Sequence, residues 1–362
     1  MPTAADQWQF EWHRTWADVW TPAVEATWRR IFESSAAHAH VYHHPALVRA
    51  WADTCGRSAG IEPMVGLAHS GHGVQVLLPW VISQSRGSLA MRRQLEPAGQ
   101  DLFGYHDPLT DATGSGIDWA AFWPSARMSV STVCDQALFR FVHAEFTGRD
   151  APACVEDSPV LRLDAFADFG ALLASCSAKH RKGVRQCRRR LAECGAVSLW
   201  IPGPAQAVEA LADWRSRATA AYRDVWSRRT RRNTVWRAGF DAFAERVITE
   251  GLRDGWAHYA SLRVDGEPIA WHLGLADRGR IYWWLPMHRT EWEPYAPGKA
   301  LLASVIEHLC QARWREVHFM TGGHAYKQAW RPASPDLRVI RWHAPGLRGT
   351  VFSWYDAMRG FA

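Results

Sequence analysis

The chain has 362 residues, of which 48% are hydrophobic and 22% charged, and its formal net charge is +6. That length predicts about two domains, and the composition excludes disordered, collagen-like and disulfide-framed classes. Seven scattered cysteines with no Cys-x-x-Cys pair predict buried free thiols rather than a disulfide frame or zinc site.

No apolar run approaches the ~20 residues of a membrane helix. The start, Met1-Pro2-Thr3-Ala4-Ala5-Asp6-Gln7-Trp8, has no basic, apolar leader pattern, so the expected location is cytoplasmic. Twenty-two tryptophans fit either dense aromatic cores or an aromatic groove for a sugar or acyl chain. Among seventeen histidines, His38, His40, His43 and His44 lie close together. They lack a carboxylate at metal-motif spacing, so surface or helix-end positions are expected and no metal.

In chain order, Thr21-Pro22 opens a helix to Ser34, with Pro at the first helical position. A second helix spans 45–55. Strands follow at 64–68 and 73–82, joined by the turn Ser70-Gly71-His72-Gly73. A strand and loop occupy 94–109, a helix 119–128 and a strand 137–142. A break near 147–153 divides the chain into 1–158 and 159–362. The second part resumes with a joining strand from Pro159, helices at 166–175 and 179–194, and a strand at 197–201. Helices at 205–222 and 234–251 come next. Strands at 257–264, 267–276 and 280–288 follow, the first two joined by Asp265-Gly266, a strong hairpin signal. A helix at 297–312, a strand at 316–320 and a last strand at 337–343 complete the chain. The fold class is α+β, mixed α/β.

Residues 175–235 carry 14 Lys and Arg against 4 Asp and Glu, leaving 28 against 32 elsewhere. The excess positive charge is concentrated in one region, which points to a specific anionic partner. At its centre, Val184, Cys187, Leu191 and Cys194 fall at helical spacing, with arginines around the rest of the helix. This is a solvated basic face or a phosphate clamp. Arg228-Arg229-Thr230-Arg231-Arg232 is a second cluster, read as a loop. Further on, Tyr295-Ala296-Pro297-Gly298-Lys299 puts a Pro-Gly turn between an apolar strand and an apolar helix. The first amides of such a helix lack intrahelical partners, so Pro297, Gly298 and Lys299 frame an anion site.

Four segments carry a family resemblance: Ser177 to Gly195 with its Lys-His-Arg-Lys start, Val264-Asp265-Gly266-Glu267-Pro268-Ile269-Ala270, Tyr295 to Leu302, and Phe319 to Trp330. They resemble the CelD-like (cellulose biosynthesis) acyltransferase domain of the GNAT superfamily, which is related to Fem-type aminoacyltransferases. The resemblance implies two GNAT-like lobes, each a central, mostly antiparallel sheet flanked by helices. The first lobe is the degenerate one, and the second holds the donor site. Arg181, Gly298, Tyr326 and Lys327 match site positions of the family, with Arg185 beside Arg181 on the basic helix. The chain departs from the family pattern at His318, where an Asp is usual, and at Gly323 and His324, where an acid is usual.

The expected reaction is direct transfer of an acyl group from acyl-CoA, a cosubstrate rather than a bound cofactor. The expected acceptor is an amine or hydroxyl of a sugar, amino sugar or cell-surface polysaccharide precursor. Lys327 would stabilise the developing oxyanion, Tyr326 protonate the leaving group, and His324 or His272 act as base. His272 lies on the apolar run Ile269 to Leu275, which favours a core histidine, and His324 also reads as a plain loop residue. Two other readings stand: an aminoacyl-tRNA-dependent Fem-like transferase, and a non-catalytic lobe pair that binds nucleic acid or an anionic polymer beside a synthase.

Overall fold

The computed structural model describes residues 8–35, 38–86, 91–99, 102–111, 116–148, 151–227 and 238–358. They divide into two compact units. One takes residues up to Val155 together with those from Asp336 on, and the other is Glu156–Pro335. The arginine cluster at 228–232 lies outside the described residues. Among the described residues, no helix is long and apolar enough to cross a membrane.

The first unit begins with β1 (Gln9–His13), α1 (Trp16–Val19), α2 (Pro22–Ser34) and α3 (Pro45–Trp51). It continues with β2 (Glu62–His69), β3 (Gln75–Arg86), β4 (Met91–Pro97), β5 (Leu109–Thr110), α4 (Trp119–Ser129) and β6 (Gln136–His143). The second unit opens with β7 (Val160–Arg162), α5 (Phe169–Ser175), α6 (Ala178–Ala192), β8 (Val197–Trp200), α7 (Ala207–Asp213) and α8 (Thr219–Ser227). After these come α9 (Phe240–Arg246), α10 (Leu252–Asp254), β9 (Ala257–Val264), β10 (Glu267–Asp277) and β11 (Arg280–His288). The unit ends with α11 (Pro297–Gln311), β12 (Glu316–His318) and α12 (Ala325–Gln328). The chain then returns to the first unit as β13 (Leu337–His343) and α13 (Leu347–Met358).

That return corrects the expected division at 158/159, which gave everything after it to the second lobe. β13 pairs antiparallel with β6 from Leu337↔His143 to His343↔Gln136. The pairing buries Leu337, Ile340 and Trp342. Arg348 of α13 holds Asp135 at 2.9 Å, and Asp356 holds Arg92 at 2.9 Å. A strand's apolar face is satisfied by whichever sheet receives it, and linear order does not specify which.

The first sheet runs β1-β2-β3-β4-β6-β13, with β5 against β3, and only β4–β6 is parallel. α4 lays Phe122 and Trp123 on Trp80, Phe139 and Trp342. Trp80 stacks on Trp123 at 6.0 Å and meets Phe139 at 4.7 Å. Tryptophans here fill a core, as the first of the two aromatic readings expected.

The second sheet runs β7-β12-β11-β10-β9-β8, and only β11–β12 is parallel. A parallel pair needs a crossover, and α11 supplies it. Asp265 and Gly266 both take positive φ, 48° and 82°, in the two-residue turn between β9 and β10. This is the hairpin the Asp-Gly signal predicts. On one face, α5, α6 and α11 pack Leu172, Val184, Leu191, Leu301 and Ile306 over Leu262, Ile269 and Trp283. On the other face, Phe240 and Phe243 of α9 meet Trp284. The mixed α/β expectation, two sheets each flanked by helices, describes the molecule. All seven cysteines are free; four are buried, Cys154 and Cys310 half-buried, and Cys194 is exposed, against expectation.

Candidate active site

β12 pairs with β11 over three rungs, Arg280↔Glu316, Ile281↔Val317 and Tyr282↔His318. β12 ends there, while β11 runs on to His288. The two parallel strands therefore part at Tyr282 and His318. At that vertex His318 stacks on Tyr282 at 4.7 Å and meets Glu316 at 3.0 Å. The His318 hydrogen bond holds the Glu316 carboxyl below the usual range, against the opposing effect of burial.

The register of β11 shifts at the same level. Leu273 faces Leu285 and Leu275 faces Tyr282, so Trp283 and Trp284 together oppose Gly274. The Trp284 N–H that this bulge displaces donates to Nε2 of His272 at 3.3 Å. A Cβ on Gly274 would stand 2.3 Å from His272 Cε1 and 2.6 Å from the Tyr282 carbonyl oxygen, so only glycine fits. His272 is fully buried, stacked on Trp283 at 3.8 Å, and close to His258, Nδ1 to Nδ1, at 3.3 Å. Burial holds His272 well below its ordinary pKa and pushes His258 down to about 3. Of the two readings of His272, the structure bears out the core histidine and corrects the base. Its ring is enclosed and its lone pair occupied, so it is a core histidine that repairs a bulge.

Beyond β11, Ala296 adopts a left-handed conformation (φ 54°, ψ 53°) and Pro297 opens α11 without a side-chain cap. The N–H groups of Lys299 and Ala300 both turn to the Ala296 carbonyl, at 3.1 and 3.2 Å. Pro297 has no N–H, so Gly298 contributes the amide of the first turn with no intrahelical acceptor. His288 Nδ1 lies 3.8 Å from where a Gly298 Cβ would be. Lys299 is exposed, and its Nζ reaches to 3.1 Å of a Cβ placed on Gly183. α6 therefore leans on the mouth of α11.

Ser177 caps α6 by accepting from the His180 N–H at 3.2 Å. The buried stripe is His180, Val184, Cys187 and Leu191; His180 takes the fourth place expected for Cys194. Its ring meets Trp330 edge-on at 4.6 Å, and burial together with the nearby Lys299 charge lowers its pKa. Arg181, expected at the donor, instead donates to the carbonyls of Ala174 (3.0 Å) and Cys176 (2.5 Å), closing the end of α5. Arg188 pairs with Glu307 at 2.7 Å and Arg190 covers Tyr295 at 5.4 Å. Lys179, Lys182 and Arg185 project to solvent.

The Tyr-Lys motif divides its side chains. Lys327 is buried at 4% exposure and donates to the carbonyls of Met320 (3.1 Å) and Thr321 (2.8 Å). It pins the turn after β12, where Met320 takes a φ of 60°. Burial pushes its ammonium down to about 8. Tyr326 and His324 face outward, their rings nearly parallel at 6.0 Å. The structure thus places Lys327 inside, His324 and Tyr326 at the surface, and His272 within the sheet.

Asp213 escaped the sequence reading. This buried carboxylate accepts from Tyr259 Oη (2.9 Å) and Trp271 Nε1 (2.8 Å), both at Oδ2, with Arg217 3.8 Å from Oδ1. Its position on the inward face of α7 was the available signal. Above Trp271 opens a cavity of about 370 Å³, lined by Arg217, Asp224, Arg289 and Glu291 among others. These charges come from segments far apart in sequence, and no motif links them.

Residues 178–328 match the family described as Acetyltransferase (GNAT) domain. No curated protein matches the chain. Among solved structures, the fold is similar to that of FemX, with TM-score 0.55 and 10% identity, covering 88% of this chain and 98% of that one. It is also similar to the C-terminal DUF2156 domain of a putative lysylphosphatidylglycerol synthetase from Agrobacterium fabrum. There the TM-score is 0.54 and the identity 12%, covering 92% and 96%. A conserved protein of unknown function from Bacteroides thetaiotaomicron gives 0.51 and 10%, covering 88% and 96%. The parted parallel strands followed by an uncapped helix lie within the matched segment, and the protein is an acyltransferase of GNAT type.

Proposed function

We propose that the protein transfers an acyl group from acyl-CoA to an amine or hydroxyl of a sugar, amino sugar or polysaccharide precursor. One observation carries this reading: β11 and β12 separate after Tyr282 and His318, and between them in the chain lies a helix whose first free amide is Gly298. A thioester arm inserted between the strands completes the interrupted ladder through backbone hydrogen bonds. Its diphosphate then meets the N-terminus of α11 and the exposed cations Lys299, Lys182 and Arg185. The GNAT fold generally uses acetyl- or acyl-CoA as cosubstrate, and these residue types suit that donor.

In this proposal His324 accepts the proton of the attacking amine or hydroxyl, and Tyr326 protonates the leaving thiolate. The acceptor's oxygen or nitrogen bonds to the acyl carbon as the carbon–sulfur bond breaks. Lys327 acts from beneath, by holding the 320–321 turn and lending its positive field. Free-thiol release from a panel of acyl-CoAs, with amino sugars and other amines as acceptors, tests the reaction. Thiol release that depends on the acceptor is expected. Failure of coenzyme A to bind would overturn the reading.

The exposed cations of α6 favour a second reading, an aminoacyl-tRNA donor, because a nucleic-acid backbone rewards many Lys and Arg contacts. Binding of tRNA and of coenzyme A at two salt concentrations separates the two. A tRNA affinity that falls steeply with salt, without coenzyme A binding, selects the second.

A further inference from the structure

We infer that the first unit holds a divalent transition-metal site of the zinc type, formed by His40, Asp107 and His143. One potential ligand atom from each lies within 4.8 Å of the other two, and among the described residues this is the one such grouping. Three separate segments deliver them: the stretch before residues 41–43, the loop before β5, and the last residue of β6. The histidines were expected at the surface for want of a carboxylate nearby in sequence. His40 and His43 are buried instead, and the carboxylate comes from Asp107 across the fold.

The ligands are held from behind. His43 accepts the His40 N–H at Nδ1 (3.2 Å) and donates from Nε2 to the Asp107 carbonyl (2.9 Å). It thereby ties two ligand-bearing segments together. Asp107 accepts the His143 backbone N–H at Oδ1 (2.7 Å) and faces His143 Nδ1 with Oδ2 at 2.8 Å. The Tyr105 ring lies 4.3 Å from that of His40 and 4.9 Å from that of His143, and is 1% exposed. Such backing by hydrogen bonds and an apolar shell is what orients ligands at metal centres.

The donor chemistry suits Zn²⁺ or Co²⁺, with two imidazoles and one carboxylate as in three-ligand zinc sites that leave a fourth position open. Metal–ligand bonds of ~2.1 Å place tetrahedral ligand atoms roughly 3.4 Å apart. Asp107 Oδ2 and His143 Nδ1 stand 2.8 Å apart, so on metal binding this pair would give up its hydrogen bond and open to that spacing while His40 draws in. His143 keeps 20% of its side chain exposed, which leaves a route to solvent. The ion would fasten the 38–44 segment and the loop before β5 to the end of β6.

The test uses the full chain, stripped with chelator and titrated with Zn²⁺ and then Co²⁺. One equivalent of Zn²⁺ per chain is expected, with a raised melting temperature and a visible Co²⁺ ligand-field band. His40→Gln should weaken binding by at least ~100-fold, more than the 10–100-fold loss typical of residues that only orient ligands. His143→Cys, which keeps a ligand, should retain Co²⁺ and add a sulfur charge-transfer band. His72→Gln at an exposed loop should change nothing. Substoichiometric Zn²⁺, or Zn²⁺ held equally well by His40→Gln, would show that Asp107 and His143 form an ion pair and no metal site.

Discussion

Nε2 of His272 accepts the backbone N–H of Trp284 at 3.3 Å, and so fills the rung that the bulge in β11 leaves open. His272→Phe keeps a ring beside Trp283 but strands that buried donor, a loss of about 1–3 kcal/mol. Urea unfolding monitored by tryptophan fluorescence should show it. Gly274→Ala should also destabilise, because its Cβ collides with the imidazole and the Tyr282 carbonyl. The loss in His272→Ala/Gly274→Ala should be smaller than the sum of the losses in His272→Ala and Gly274→Ala alone, since the collision with the imidazole is gone. Strict additivity would refute the coupling.

Asp213 takes both its donors on one oxygen. Asp213→Asn keeps an acceptor there and should cost less than about 1.5 kcal/mol, whereas Asp213→Ala should cost about 3 kcal/mol by leaving two buried donors unpaired. Equal losses for the two variants would show that charge, not hydrogen bonding, holds the site.

Lys327 titrates in the folded chain at about 8, below the ordinary 10.5. Between those values the unfolded chain binds more protons than the folded one, so this group makes stability rise with pH across that window. Relative to Lys327→Met, the unfolding free energy should climb by no more than about 3 kcal/mol from pH 8 to 10.5. A flat difference would mean that the carbonyls of Met320 and Thr321 keep the ammonium charged.

Charge reversal separates the two kinds of cation on α6. Lys182→Glu with Arg185→Glu should weaken coenzyme A binding about tenfold at low salt and less at high salt, as expected of exposed charges. Arg181→Ala should leave affinity unchanged and lower the melting temperature, because its guanidinium closes α5. Calorimetric titration beside a thermal scan distinguishes these outcomes.

Ending the chain at Pro335 removes β13 and α13 and uncovers β6. Burial of Leu337, Ile340, Trp342 and Phe352 is worth about 1.5–3 kcal/mol each, which together rivals the whole stability of a domain. The truncated protein should lose the first unit's cooperative transition in calorimetry. A retained transition would show that β13 is dispensable.

Several elements whose cause is local were legible in the sequence, though α1, capped by Thr15, was not among them. The Asp265-Gly266 hairpin follows from two residues that tolerate positive φ, and α11 follows from Pro297 at the first position of an apolar periodic run. The stripe of α6 was legible at Val184, Cys187 and Leu191, because burial recurs every three or four residues. Tertiary structure decided which sheet receives β13, which way each motif side chain points, and what surrounds it. Arg181, Lys327 and His272 looked like chemistry in the sequence, yet carbonyls and a displaced N–H occupy them. Asp107 finds His143 and His40 across the fold through contacts that no spacing records. Periodicity encodes which residues turn inward; the partners they meet there depend on how distant segments pack.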